Sequence, residues 1–197
     1  MNIPTREECL KLLNEYKVNE SIQRHSKAVA KVAVFLAKKL KENGVEININ
    51  LVEAAGLLHD SLKAVSFTHF EGLSEEELKK TKELQAKYPE TGHAEAAYLE
   101  LKDKYPEVAR VVRVHTPKHI LQATTLEEKL VNYADKRVLH DKIVALKDRA
   151  KHYREKYGFI MSDETAMAYA KLEKQIFDTI GIQPDKLGEY IETNNMC

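Results

Sequence analysis

Cysteine is nearly absent. Cys9 and Cys197 are the two in 197 residues, too few and too far apart for a thiolate metal site or a disulfide framework. An excess of either charge is missing as well, since 31 lysines and arginines balance 31 aspartates and glutamates. Without a clustered basic excess there is no electrostatic reason to expect a nucleic acid duplex as partner. Long apolar runs are lacking too. The stretch Val32-Ala33-Val34-Phe35-Leu36-Ala37 falls far short of the ~20 residues that span a bilayer, so no membrane partner is expected. No charged-then-apolar leader precedes a cleavage-like site, and the expectation is a cytoplasmic protein. What is present, 43% hydrophobic and 31% charged residues, suits a folded globular chain rather than a disordered one. Its chemistry must therefore come from histidine, carboxylate, lysine and backbone.

Glycine and proline are also sparse, at 7 and 5, and most of them mark segment ends. Aliphatic residues recur three and four apart, the helical period. This spacing predicts helices near residues 4–16, 19–43 (ending at Asn43-Gly44 as a C-cap) and 51–63. Another follows over 74–88, opened by a Ser74/Glu77 capping box. Thr91 then caps a helix reaching about residue 105. A short helix over 107–115 is stopped by Pro117, and one long helix runs from about 125 to 158. The last large helix covers 163–181, with a small tail after Pro184. No segment repeats and no linker forces a boundary, so residues 1–197 read as one all-α domain.

The eight histidines carry the most information. His25 stands where the stripe Ile22, Val29, Val32, Leu36 and Leu40 calls for an aliphatic residue. His115 completes a stripe with Val108, Val111 and Val112, and His93 shares a face with Ala97 and Leu101. Asp135 falls inside the arc of Val131, Ala134 and Val138, where a carboxylate must be paired or must coordinate a metal. The densest signal is Leu57-Leu58-His59-Asp60-Ser61-Leu62-Lys63. Adjacent helical residues point about 100° apart, so His59 and Asp60 share a cation only over the edge between their faces. Lys63 follows four residues after His59, one helical turn on. It either reaches a bound substrate oxygen or simply closes a helix C-terminus. Ala55 and Gly56, one turn earlier, would let another helix approach closely. His140-Asp141, a second such pair, reads as a solvated helix face, and His152 likewise. His69 is ambiguous. Phe67-Thr68-His69-Phe70 could stack on a base or pack on the core.

This ordered set of His25, His59-Asp60, His93, His115 and Asp135 resembles the HD superfamily of metal-dependent phosphohydrolases. The surroundings agree: Arg24-His25-Ser26, Leu57-Leu58-His59-Asp60 with Lys63, Val114-His115-Thr116 and Tyr133-Ala134-Asp135. The two extra histidines are similar to those of a two-metal branch that includes the symmetrical diadenosine-tetraphosphate hydrolases. Ser61-Leu62 departs from the Ile-Gly that many two-metal members carry after the pair. The likeness spans about residues 20–150, and residues 151–197 form a helical extension without a recognisable counterpart.

The resemblance implies an HD-type helical bundle. It also implies one or two divalent transition metals (iron, manganese, nickel, cobalt or zinc). His25, His59, Asp60 and Asp135 would bind the first, and Asp60 would bridge to a second held by His93 and His115. Asp60 and Lys63 would be the catalytic pair, with a metal-activated water attacking phosphorus and Lys63 stabilising the transition state. Arg24, Lys118, His119 and Arg137 are candidate substrate contacts, His119 being also a candidate extra ligand. The expected substrate is a small phosphate ester or anhydride, most plausibly of a nucleotide. A di-iron oxygenase and a catalytically silent nucleotide-binding module of the same fold are the alternatives. Oligomeric state is left open.

Overall fold

The computed structural model describes residues 2–193; Cys197 lies outside them. Ten α-helices follow one another: α1 Arg6–Glu15, α2 Glu20–Glu42, α3 Ile49–Leu58, α4 Glu75–Lys87, α5 His93–Leu101, α6 Pro106–Arg113, α7 Leu126–Lys136, α8 Leu146–Tyr157, α9 Asp163–Ile180 and α10 Leu187–Thr193. Capping boxes open α1 at Thr5, α4 at Ser74 and α7 at Thr125, each satisfying backbone donors that a helix start leaves orphaned. No described helix is long and apolar enough to cross a membrane. Among the described residues the fold is all-α apart from one two-stranded hairpin.

Helix α3 is apolar on nearly every side, with Leu51, Val52, Ala54, Ala55, Gly56, Leu57 and Leu58 buried. A helix of that composition belongs at the centre of the bundle, and there it packs against α1, α2, α6 and α7. The buried face of α2 (Val29, Ala30, Val32, Ala33, Leu36, Ala37, Leu40) meets it most closely. A methyl group on Gly56 would lie 2.9 Å from the Ala30 Cα, so the absent side chain sets the spacing of the two helices. Further along the chain, α9 joins the same core. Tyr169 donates from its hydroxyl to Asn132 Oδ1 of α7, and Phe177 packs its ring 6.4 Å from that of Tyr133.

Three local expectations are corrected. The long helix over 125–158 is interrupted: α7 stops at Lys136, and β1 (Val138–Leu139) pairs antiparallel with β2 (Lys142–Ile143) before α8 begins. His140 turns the hairpin at φ +57°, a left-handed conformation that the apolar spacing of Val138, Leu139, Ile143 and Val144 does not reveal. Arg137 closes the hairpin's mouth, with its Nε–H donating to the Val144 carbonyl and its own carbonyl accepting from Val144 N–H. The helix expected over 51–63 ends at Leu58. Beyond it Ser61 N–H bonds Leu58 O and Lys63 N–H bonds Asp60 O, three-residue closures that tighten the chain into a 3₁₀ turn over Lys63–Ser66. Lastly, Gly92 rather than Thr91 is the N-cap of α5, because the Thr91 hydroxyl donates back to the Pro89 carbonyl instead.

Candidate metal centre

Four imidazoles from four helical regions meet in one chain of rings. Centroids stand 5.3 Å apart for His25 and His59, 5.0 Å for His59 and His115 and 5.2 Å for His93 and His115. Three of them anchor Nδ1 on a backbone carbonyl: His25 on His140 (2.7 Å), His59 on Gly56 (2.9 Å) and His115 on Val112 (2.6 Å). A carbonyl can only accept, so Nδ1 carries the proton and Nε2 faces the shared space. For His93 the partner is the Ser66 hydroxyl at 3.2 Å, which already accepts the His93 backbone N–H and has a second lone pair. This is how outer contacts orient metal-binding histidines.

Asp60 sits between the rings. Its Oδ2 lies 3.6 Å from His59 Nε2, while Oδ1 lies 3.2 Å from His93 Nε2 and 3.5 Å from His115 Nε2. Two overlapping groups result, His25/His59/Asp60 and Asp60/His93/His115, each able to present one ligand atom per residue within 4.8 Å of the others. Asp135 stands at the edge of the first, with Oδ1 3.0 Å from His25 Nε2 and 3.9 Å from His59 Nε2. Lys136 Nζ pairs with its other oxygen. The donor set fits a divalent metal on an observation independent of spacing: His59 Nε2 is sealed from solvent and has no hydrogen-bond partner. A buried orphan of that kind carries a desolvation penalty that a cation would relieve.

The electrostatics suit a cation as well. Burial pushes His59 down to about 3 against the pull of Asp60 and Asp135, so its Nε2 lone pair is free at neutral pH. His93 is also lowered by burial. Burial opposes ionisation of Asp60, yet Lys63 and His59 hold it well below the usual carboxylate range. Asp135 stays ionised in the same way beside Lys136 and His25. Burial likewise opposes charge on His25, but its hydrogen bond to Asp135 and the nearby carboxylates raise it.

Three members of the cluster, His25, Asp60 and His93, line a cavity of about 930 Å³. Lys63 reaches it from the 3₁₀ turn, with Nζ 3.3 Å from Asp60 Oδ1 and 3.3 Å from His93 Nε2. Arg24, Lys118 and His119 line it; Arg24 also pairs with Glu20 at 2.7 Å. His119 Nδ1 is 2.8 Å from the Thr116 hydroxyl, and His119 belongs to neither ligand group.

Arg137 does not face the cavity. It is buried and bonded to the Tyr133 hydroxyl, Glu173, the Val144 carbonyl and the Pro184 carbonyl, so its donors tie α7 to α9 and the hairpin. His140 and Asp141 are exposed, as expected, but stand at the hairpin turn rather than on a helix, and together with His152 of α8 they line the cavity. Phe67 and Phe70 are not among its lining residues. Lys136 was missed by sequence reasoning altogether. Every residue from Leu130 to Arg137 is buried, which no apolar stripe in the sequence announces.

A family model described as HD domain matches residues 22–138, a stretch that contains all six residues of the cluster and ends before α8. The tRNA (cytidine(56)-2'-O)-methyltransferase of Thermoplasma volcanium is 27% identical over 189 residues, which cover 94% of this chain and 50% of that protein. The chain thus spans about half the length of the curated relative it matches. No solved structure gives a significant match.

Proposed function

Since the chain belongs to the HD-domain family, within a superfamily of metal-dependent phosphohydrolases, we propose that it hydrolyses a phosphate ester or anhydride of a nucleotide. The observation that carries this reading is the pair of overlapping His/Asp groups sharing Asp60, which lines a cavity. His25, His59 and Asp60, with Asp135 alongside, would hold one divalent metal, and Asp60, His93 and His115 a second. Bound metal supplies Lewis acidity toward phosphoryl oxygens and lowers the pKa of water to near neutrality.

The remaining work falls to the protein's own groups. Gly56, Val112 and His140 carbonyls fix three imidazoles with Nε2 inward, so the donor set is organised in advance. Asp60 presents one oxygen to each side of the cluster. Lys63 keeps its charge, since Asp60 and Asp135 outweigh the effect of burial. Its ammonium stands beside Asp60 and His93 at the cavity floor, where charge develops on a phosphoryl group in the transition state. Arg24 and Lys118 add positive charge along the wall. A relative named for methylation of tRNA aligns over nearly this whole chain, and ribonucleotide phosphates are included in the panel that tests the proposal.

Substituting Asp60→Ala removes the carboxylate common to both groups. Elemental analysis is expected to show loss of bound metal, and phosphate release from a nucleotide panel is expected to stop while circular dichroism stays helical. Undiminished turnover by a metal-depleted Asp60→Ala protein would overturn the assignment.

A further inference from the structure

The cavity is much larger than one phosphate needs. At about 930 Å³ it stands near the top of the range for small-molecule sites, roughly 300–1,000 Å³. One of its walls is α8 with the residues just after it, and this wall lies outside the segment that the HD model matches. Helix α8 has no buried residue, so it contributes little to the core. Its cavity side carries Arg149, Tyr153, Lys156 and Tyr157, a spacing of four, three and one that places them on one helical face. Phe159 completes the surface.

These side chains are arranged among themselves. The Arg149 guanidinium lies 4.5 Å from the Tyr153 ring centroid and donates to its hydroxyl at 3.3 Å. Arg149 Nε is shielded from solvent and has no hydrogen-bond partner. Neither Arg149 nor Lys156 forms an ion pair among the described residues. Tyr153 in turn touches Tyr157 and Phe159, with ring centroids 5.9 and 6.1 Å away. Tyr157 and Phe159 themselves remain 60% and 41% exposed. Exposed aromatics flanked by unpaired cations at the wall of a cavity match the chemistry of a nucleobase joined to phosphate. Rings supply stacking, and arginine and lysine supply phosphate contacts.

We propose that α8 and Phe159 form a base-recognition subsite, in which Tyr157 and Phe159 stack on a heteroaromatic base while Arg149 and Lys156 contact its sugar–phosphate. This rests on the nucleotide reading above and assigns its specificity to residues beyond the HD-matched segment. A phosphorylated sugar lacking the base forfeits the stacking. One stacked base is worth about tenfold in affinity or more.

The test is calorimetric titration of the full chain as purified with two probes, the phosphonates of AMP and of ribose 5-phosphate, whose carbon–phosphorus bond resists hydrolysis. The AMP analogue is expected to bind about tenfold tighter. The double substitution Tyr157→Ala/Phe159→Ala should bring the two within about twofold by weakening the AMP analogue alone, and Tyr157→Phe should keep the preference. Arg149→Met should weaken both probes. Equal affinities in the unsubstituted protein, no binding of either probe, or a preference that survives the double substitution would each overturn the subsite. Because binding is read without turnover, a chain that prefers the AMP analogue yet releases no phosphate would refute hydrolysis and leave the subsite standing.

Discussion

Replacing Gly56 by alanine would press a methyl group into α2. An ideal Cβ at this position meets the Ala30 Cα at 2.9 Å, its Cβ at 3.2 Å and its nitrogen at 3.3 Å. Two of those atoms are backbone, so no side-chain rotation relieves the clash, and the helices must separate. Alanine is otherwise the better helix former by about 1 kcal/mol, whereas overpacking a tight contact costs about 1–3 kcal/mol. The balance is a net loss of about 1 kcal/mol, equivalent to about 2–4 °C in Tm for a chain of this size. The site would register the change more strongly than the fold. Gly56 O holds His59, and α2 carries His25, so a wedge between α2 and α3 shifts two members of one ligand group. Losses of about 10–100-fold in metal affinity accompany disruption of such outer contacts, and about tenfold is expected here. Urea melts of the metal-free protein and calorimetric titration with Mn²⁺ measure the two effects separately. A Gly56→Ala protein that is more stable than the parent and binds Mn²⁺ equally well would refute the close-packing account.

Lys136→Met removes the buried cation that pairs with Asp135, leaving a buried carboxylate that costs about 3–5 kcal/mol. A bound divalent metal should restore part of that loss, so the deficit in thermal melts is expected to shrink when Mn²⁺ is added. An identical deficit with and without metal would separate Asp135 from the ion. The Cys9 thiol is pushed up to about 12 by burial. In a Cys197→Ser chain, a disulfide thiol reagent at pH 8 should therefore modify Cys9 only in denaturant; rapid modification of the native protein would contradict its burial on the inner face of α1.

Much of the scaffold could be read directly from local spacing. The stripe on α2, the capping box at Ser74, the stop at Gly181 and the apolar α3 all depend on residues within a turn or two of one another. The same holds for the inward placement of His25, His59, His115 and Asp135, because a polar residue in an apolar stripe goes wherever the stripe goes. Arg137 shows where this logic fails. It follows a ligand in sequence and carries the right charge for phosphate, yet its guanidinium is consumed by Tyr133, Glu173 and two carbonyls. Two of those partners, Glu173 and Pro184, lie more than thirty residues away.

By itself, then, the chain's periodicity determines a helical bundle and which faces of its helices turn inward, since both follow from contacts three and four residues apart. Tertiary structure alone decides which ring nitrogen each histidine offers, that Lys136 guards Asp135, and that a hairpin turned by His140 folds α8 across the cavity. Those outcomes depend on polar pairings and left-handed backbone, some local, such as the Gly56 and Val112 carbonyls three residues before the rings they hold, and one spanning 115 residues, His140 O to His25; hydrophobic spacing carries no trace of either kind.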